Sequence, residues 1–154
     1  MGMTVSPEEL AMLDDPTYVH ADYIKELIRV DVLRKIVDQT SKFLSDKDFD
    51  ALAFSGNSGA ILGSALSLAL NKPMILVRKT VEDCHSSFTC EGFHAAKRYI
   101  IVDDFVSTGS TVHYISRKVR EWAPDMELVG VMQAVKMYWG DSDFWADRWP
   151  WGIL

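Results

Sequence analysis

Strands alternating with helices in a chain of 154 residues predict one α/β domain, built on a mostly parallel central sheet flanked by helices. Three observations carry that reading. Short apolar runs at 49–54, 74–77, 99–102 and 128–135 read as strands, with Tyr99–Val102 apolar throughout. Helical segments at Ala60–Leu70 and Ser110–Trp122 lie between them. Hydrophobic residues make up 48% and charged residues 25%, enough for one core without a disulfide or metal staple.

Taken in order, residues 1–45 form a helical N-terminal segment. Ser6-Pro7-Glu8-Glu9 is a helix start, with a capping hydroxyl, Pro at the first helical position and acids near the positive end of the dipole. Pro16 ends that piece. From Ala21 to Leu44 the apolar residues Ile24, Leu27, Ile28, Leu33, Ile36, Val37, Phe43 and Leu44 keep helical spacing, with a break near Val30. Residues 46–135 form the core. After the charged turn Ser45–Asp48 comes the first strand, then a turn at Gly56-Asn57-Ser58-Gly59, then a buried helix ending near Asn71 and Pro73. Residues 78–97 show no sustained period and are rich in polar residues. Pro124 stops the helix Ser110–Trp122, and the tail 136–154 has no clear period. In sheets of this kind ligands bind outside the carboxyl ends of the strands, where strand order reverses. The turns after Phe54 and Val102 are therefore expected side by side at one mouth.

Composition removes several function classes. The net charge is −6, the pI is about 5.1 and no basic run is present, so no nucleic-acid partner is expected. No membrane association is expected either. Residues 1–15 have no apolar signal core, and Ala60–Leu70 is too short to span a bilayer and is interrupted by Gly63, Ser64 and Ser67. Two cysteines, Cys84 and Cys90, make no disulfide framework, which suits a reduced, cytoplasmic setting. Cys84, His85, Cys90 and His94 fit no compact zinc spacing.

The informative segment is Ile100-Ile101-Val102-Asp103-Asp104-Phe105-Val106-Ser107-Thr108-Gly109-Ser110-Thr111. A buried strand delivers two adjacent acids to its end, and a loop of small hydroxylated residues and Gly then enters a helix. Unpaired amides at a helix start, together with its dipole, bind a phosphate monoester well. Hydroxyls of Ser107, Thr108, Ser110 and Thr111 add donors, and Gly109 lets the backbone come close. Two carboxylates beside a phosphate repel it unless they hold ribose hydroxyls or a hard cation such as Mg²⁺. Read separately, the acids are a solvated strand end and the loop an ordinary helix cap; the whole run points to a phosphorylated sugar.

This segment resembles the signature of the type I phosphoribosyltransferases: apolar strand, two acids, two apolar residues, one variable residue, then Thr-Gly-small-Thr. The resemblance implies that the chain binds phosphoribosyl pyrophosphate (PRPP), with Asp103 and Asp104 as catalytic acids on the ribose hydroxyls. They would also hold Mg²⁺ through those hydroxyls or water, while Ser107, Thr108, Gly109, Ser110 and Thr111 cradle the 5′-phosphate. By the same resemblance the turn Gly56, Asn57, Ser58 and Gly59 binds pyrophosphate, helped by Arg78 and Lys79 at the end of the second strand. The stretch from Gly59 to Pro73 is similar to adenine and orotate phosphoribosyltransferases. Residues 78–97 become a hood loop that excludes water, in which Glu82, Asp83 and Glu91 are all candidates for acid–base help.

The run Trp145-Ala146-Asp147-Arg148-Trp149-Pro150-Trp151 is similar to the C-terminal base-binding stretch of xanthine–guanine phosphoribosyltransferases. This makes Trp145, Trp149 and Trp151, with Phe105 and Val106, candidates for the base pocket. A tryptophan-rich tail also serves as core or as a subunit interface. One departure concerns specificity. Hypoxanthine–guanine enzymes carry an Asp two residues past the acid pair, where this chain has Ser107, which weakens a 6-oxopurine assignment. The implied activity is transfer of a 5-phosphoribosyl group to a nucleobase, a purine ahead of a pyrimidine, with release of pyrophosphate by a homodimer. The alternative is a non-catalytic PRPP-binding regulator of the same fold.

Overall fold

The computed structural model describes residues 29–79, 88–103, 110–133 and 136–140. Helix α1 (Val30–Leu44) begins at the break expected near Val30. Arg29 is extended (φ −74°, ψ 123°), and its carbonyl accepts the amide of Leu33 at 2.9 Å. The helices expected before residue 29 lie outside the described residues. Strand β1 (Ala51–Phe54) is buried along its whole length. Helix α2 (Gly56–Leu70) ends at Asn71, which is left-handed (φ 53°, ψ 48°) and donates its amide to the Ser67 carbonyl. Strands β2 (Met74–Val77), β3 (Cys90–Gly92) and β4 (Arg98–Asp103) follow, then helix α3 (Ser110–Trp122) and strands β5 (Glu127–Gln133) and β6 (Lys136–Trp139).

These six strands form one sheet in the order β3-β2-β1-β4-β5-β6. The four central strands are parallel, with Leu52 opposite Met74 and Ile100, and Ile101 opposite Val131. Both edges are antiparallel: Leu76 faces Glu91 across β2–β3, and Val131 faces Tyr138 across β5–β6. The edges correct the sequence reading in two places. Part of the expected loop 78–97 is β3, and the tail, in which no clear period was found, begins with β6. Cys-Glu-Gly is too short to show a period, so tertiary pairing decides its conformation.

Alternation along the strands sends side chains to two cores. On one face Leu52, Ile100, Val102, Val129 and Met132 pack with Ile36 and Leu44 of α1 and Leu62 and Leu66 of α2. On the other, Ala51, Ala53, Ile75, Val77, Tyr99, Ile101 and Val131 pack against Val112, Ile115 and Val119 of α3. Each fully buried Leu or Ile contributes about 1.5–3 kcal/mol relative to exposure. Trp139 belongs to the first core, its ring edge-on to Phe49 at 6.2 Å. His94 is likewise structural: its ring lies 4.6 Å from that of Trp122, and Nε2 is 3.1 Å from the Trp122 carbonyl.

Burial pushes the Cys90 thiol up to about 11 and raises the Tyr99 phenol as well. Both groups lose their protons more readily in the unfolded chain. Above the ordinary thiol value of 9.0 the native state therefore holds more protons than the unfolded state, and stability falls as pH rises toward about 11. The urea midpoint is expected to drop between about pH 8.5 and 10.5 and to drop less in Cys90→Ala. A midpoint flat across that range would contradict it.

Candidate functional site at the strand-order reversal

Strand β1 is the point of reversal. The chain leaves it for β2 on one side and returns to β4 on the other, so the carboxyl ends of β1 and β4 share one mouth. Two glycines one helical turn apart close the gap between α2 and this mouth. A Cβ on Gly59 would lie 3.4 Å from the Val102 carbonyl oxygen and 3.2 Å from Phe54 Cβ; on Gly63 it would meet Phe54 Cδ1 at 2.6 Å. The first turn of α2 thus rests on the ends of both strands. The ends of β1 and β4 are therefore neighbours, while the turn that follows β4 lies outside the described residues.

The segment Gly56–Gly59 was expected as a turn preceding the helix, but it forms the first turn of α2. Gly56 alone reverses the chain, at φ 75°, a conformation that costs glycine little. The amides of the next residues then become the unpaired donors of a helix start, with no acidic residue in that turn. Ser55, just before it, is 3% exposed, and its hydroxyl makes no side-chain cap; among the described residues its Oγ has no hydrogen-bond partner. Gly56 and Asn57 are exposed, Ser58 is half-buried and Gly59 is buried.

Lys79, just past β2, reaches this turn: its Nζ is 3.6 Å from the position of a Cβ on Gly56. Arg78 is placed differently. Its Nη1 is 2.7 Å from Oε2 of Glu91 on β3, and its amide donates to the Thr89 carbonyl at 2.8 Å. The two cations named from sequence therefore take distinct positions, with Lys79 over the glycine turn and Arg78 bound to the edge strand. Glu91, one of three acids named for proton transfer, is engaged in that ion pair.

Asp103 ends β4 at 4% exposure, opposite Gln133 of β5. Residues 104–109 lie outside the described residues, so Asp104, Phe105, Val106, Ser107, Thr108 and Gly109 are not placed. Ser110 and Thr111 open α3, whose first turn carries no acid. Trp145, Trp149 and Trp151 are also outside the described residues. Among those described, no group of three or more His, Cys, Asp or Glu side chains is arranged to hold a metal ion. The donors at the mouth, a carboxylate and hydroxyls, suit a hard cation such as Mg²⁺ whose remaining oxygens come from a bound ligand.

One residue at this site was missed in the sequence reading. Tyr114, one turn into α3, donates its hydroxyl to the Arg78 carbonyl at 2.7 Å. Its only signal was an aromatic four residues past Ser110, which by itself reads as core.

The PRTase-CE family model matches residues 5–138 of the chain. An adenine phosphoribosyltransferase of Ureaplasma parvum is 33% identical over 105 residues, covering 58% of this chain and 61% of that protein. The chain thus spans 61% of the length of the curated Ureaplasma relatives it matches. An adenine phosphoribosyltransferase of Lachnoclostridium phytofermentans is 28% identical over 153 residues, covering 85% of this chain and 84% of that one. Among solved structures, a phosphoribosyltransferase from Corynebacterium diphtheriae superposes with a TM-score of 0.63 at 18% identity, over 82% of this chain and 79% of that one.

Proposed function

The chain belongs to the PRTase-CE family, with the type I phosphoribosyltransferase fold, and from that premise we propose that it transfers a 5-phosphoribosyl group from PRPP to a purine base, releasing pyrophosphate. The observation that carries this reading is the meeting of the α2 amide turn, Lys79 and Asp103 at the strand-order reversal. That arrangement puts anion-binding groups and a carboxylate at the same end of the sheet. Adenine is the base most in keeping with the named relatives and with Ser107 in place of an Asp.

In the reaction the bond from the sugar anomeric carbon to pyrophosphate breaks, and a bond from that carbon to a ring nitrogen forms. The nitrogen's proton leaves to solvent or to a nearby base. Positive charge builds on the sugar on the way, as in glycoside cleavage. Asp103 and Asp104 stabilise that charge and fix the ribose hydroxyls. Negative charge gathers on the departing pyrophosphate, where Lys79 and the amides of Asn57–Gly59 receive it. Residues 107–111 anchor the 5′-phosphate and supply remote binding energy. Asp103 and Asp104 would hold Mg²⁺ through ribose hydroxyls or water, and its charge, when bound, makes the leaving group less basic. The proposal includes a single domain whose Trp-rich tail beyond β6 serves as subunit interface, core or base contact, a homodimer and a cytoplasmic setting. Among the described residues no helix is long and apolar enough to cross a membrane.

A non-catalytic PRPP-binding regulator is the second reading. It is favoured by the Arg78–Glu91 ion pair, which occupies one of the two cations expected at the leaving group. Incubation with PRPP, Mg²⁺ and a panel of purines and pyrimidines separates the two, with pyrophosphate release expected for adenine. PRPP binding without release for any base would support the regulator. Calorimetry that detected no PRPP binding in the presence of Mg²⁺ would overturn both.

A further inference from the structure

Lys79 sits over the glycine turn, and the chain leaving β2 toward it is held from across the site. Tyr114 lies one turn beyond Ser110 on α3, the helix whose first turn is assigned to the 5′-phosphate. Its hydroxyl donates to the Arg78 carbonyl at 2.7 Å and lies 3.4 Å from the Lys79 carbonyl. The ring packs on the buried core of that face, and the Arg117 guanidinium carbon lies 5.8 Å from the ring centroid. The tyrosine therefore has a fixed base and a polar tip, and the tip reaches the backbone of the residue that carries the amine. Arg78 is secured from the other side by the hydrogen bond its backbone amide donates to the Thr89 carbonyl and by its ion pair with Glu91. The backbone leaving β2 is thus clamped between α3 and the edge strand.

We propose that Tyr114 is a positioning residue: its hydrogen bond to the Arg78 carbonyl aims Lys79 at the pyrophosphate and ties the pyrophosphate half of the site to the helix that binds the 5′-phosphate. The inference rests on the phosphoribosyltransferase reading and adds a residue to which the signature motif gives no role. Tyr114 does not touch the ligand. Its effect passes through the backbone at residues 78 and 79, so it should act on one half of the substrate and leave the other unaffected. Loss of one hydrogen bond of this kind corresponds to a change of roughly fivefold to tenfold in an equilibrium.

The test is Tyr114→Phe in the full chain, which keeps the ring and its packing and removes only the hydroxyl. Binding of inorganic pyrophosphate and of ribose 5-phosphate is measured separately by calorimetry, each with Mg²⁺, alongside the thermal midpoint. The expected result is a pyrophosphate Kd raised about fivefold to tenfold and a ribose 5-phosphate Kd within about twofold of wild type. The KM for PRPP should rise more than kcat falls. Equal weakening of both ligands with a lowered midpoint would show a merely structural tyrosine and overturn the inference. So would an unchanged pyrophosphate Kd in a variant that binds ribose 5-phosphate normally. A wild-type protein that bound neither ligand would overturn the phosphoribosyltransferase reading itself, a result distinguishable from both.

Discussion

Replacing Asp103 and Asp104 together by Asn is expected to lower turnover by on the order of 10³-fold or more while leaving the fold intact. Asparagine keeps the size of the side chain and removes its charge. Asp103 closes β4 between the two central neighbours of the sheet and is 4% exposed, so its carboxylate is held in position with little water around it. A fixed negative charge in such surroundings stabilises an oxocarbenium-like sugar far more than it could in bulk water. Removing one preorganised electrostatic group from an active site costs about 10²–10³-fold, or about 3–4 kcal/mol of barrier. Two adjacent carboxylates act as a unit, so the loss in the double variant is not a sum of single effects. The fold should survive, because asparagine keeps the side chain's size and one accepting oxygen. The check is kcat at saturating PRPP and adenine, read beside circular dichroism and the thermal midpoint. Turnover within tenfold of wild type, in a folded double variant, would remove these acids from the chemistry.

The sequence was most legible where local and tertiary signals agreed. The runs at β1, β2, β4 and β5 are apolar because strands in the middle of a parallel sheet are covered on both faces, and that composition shows without any partner. Helix α2 could be read to its end because Asn71 and Pro73 stop a helix by local sterics alone. The neighbourhood of Phe54 and Val102 followed from a rule of sheet topology. The edges followed from no local rule. Strand β3 exists because Leu76 and its neighbours offer unpaired backbone, and Cys-Glu-Gly has no pattern that announces this. Gly56–Gly59 looked like a turn because its composition is that of a turn, yet only Gly56 needs a positive φ and the rest are helical. The fates of Arg78 and Lys79 also could not be separated in advance. Which of two adjacent cations meets Glu91 depends on side-chain direction at the end of a strand and on an edge strand that the reading had left out.

Gly92→Ala is expected to destabilise the protein by roughly 2–4 kcal/mol and to lower the thermal midpoint by about 5–15 °C. Gly92 ends β3 at φ 143°, where an L side chain is strained in any surroundings. There is also no space for one. A Cβ would stand 2.2 Å from the Met74 carbonyl oxygen and 2.8 Å from Ile75 Cα, both of them backbone atoms of β2. A side chain in the way could rotate, but a strand paired on its other side with β1 cannot yield. The variant must therefore push β3 outward, weakening the bond from the Phe93 amide to the Met74 carbonyl and the pairing of Ile75 with Gly92. The cost has a ceiling, because a three-residue edge strand can detach and leave the central sheet standing. Detachment would also withdraw Glu91 from Arg78, so PRPP affinity should change along with stability. Glu91→Ala separates the two effects: it removes the partly exposed ion pair without placing any atom against β2, and should cost less than about 1 kcal/mol. Urea unfolding of both variants decides the matter. A Gly92→Ala midpoint no lower than that of Glu91→Ala would mean that β3 accommodates a methyl group, and that its close approach to β2 is not what holds this edge of the sheet.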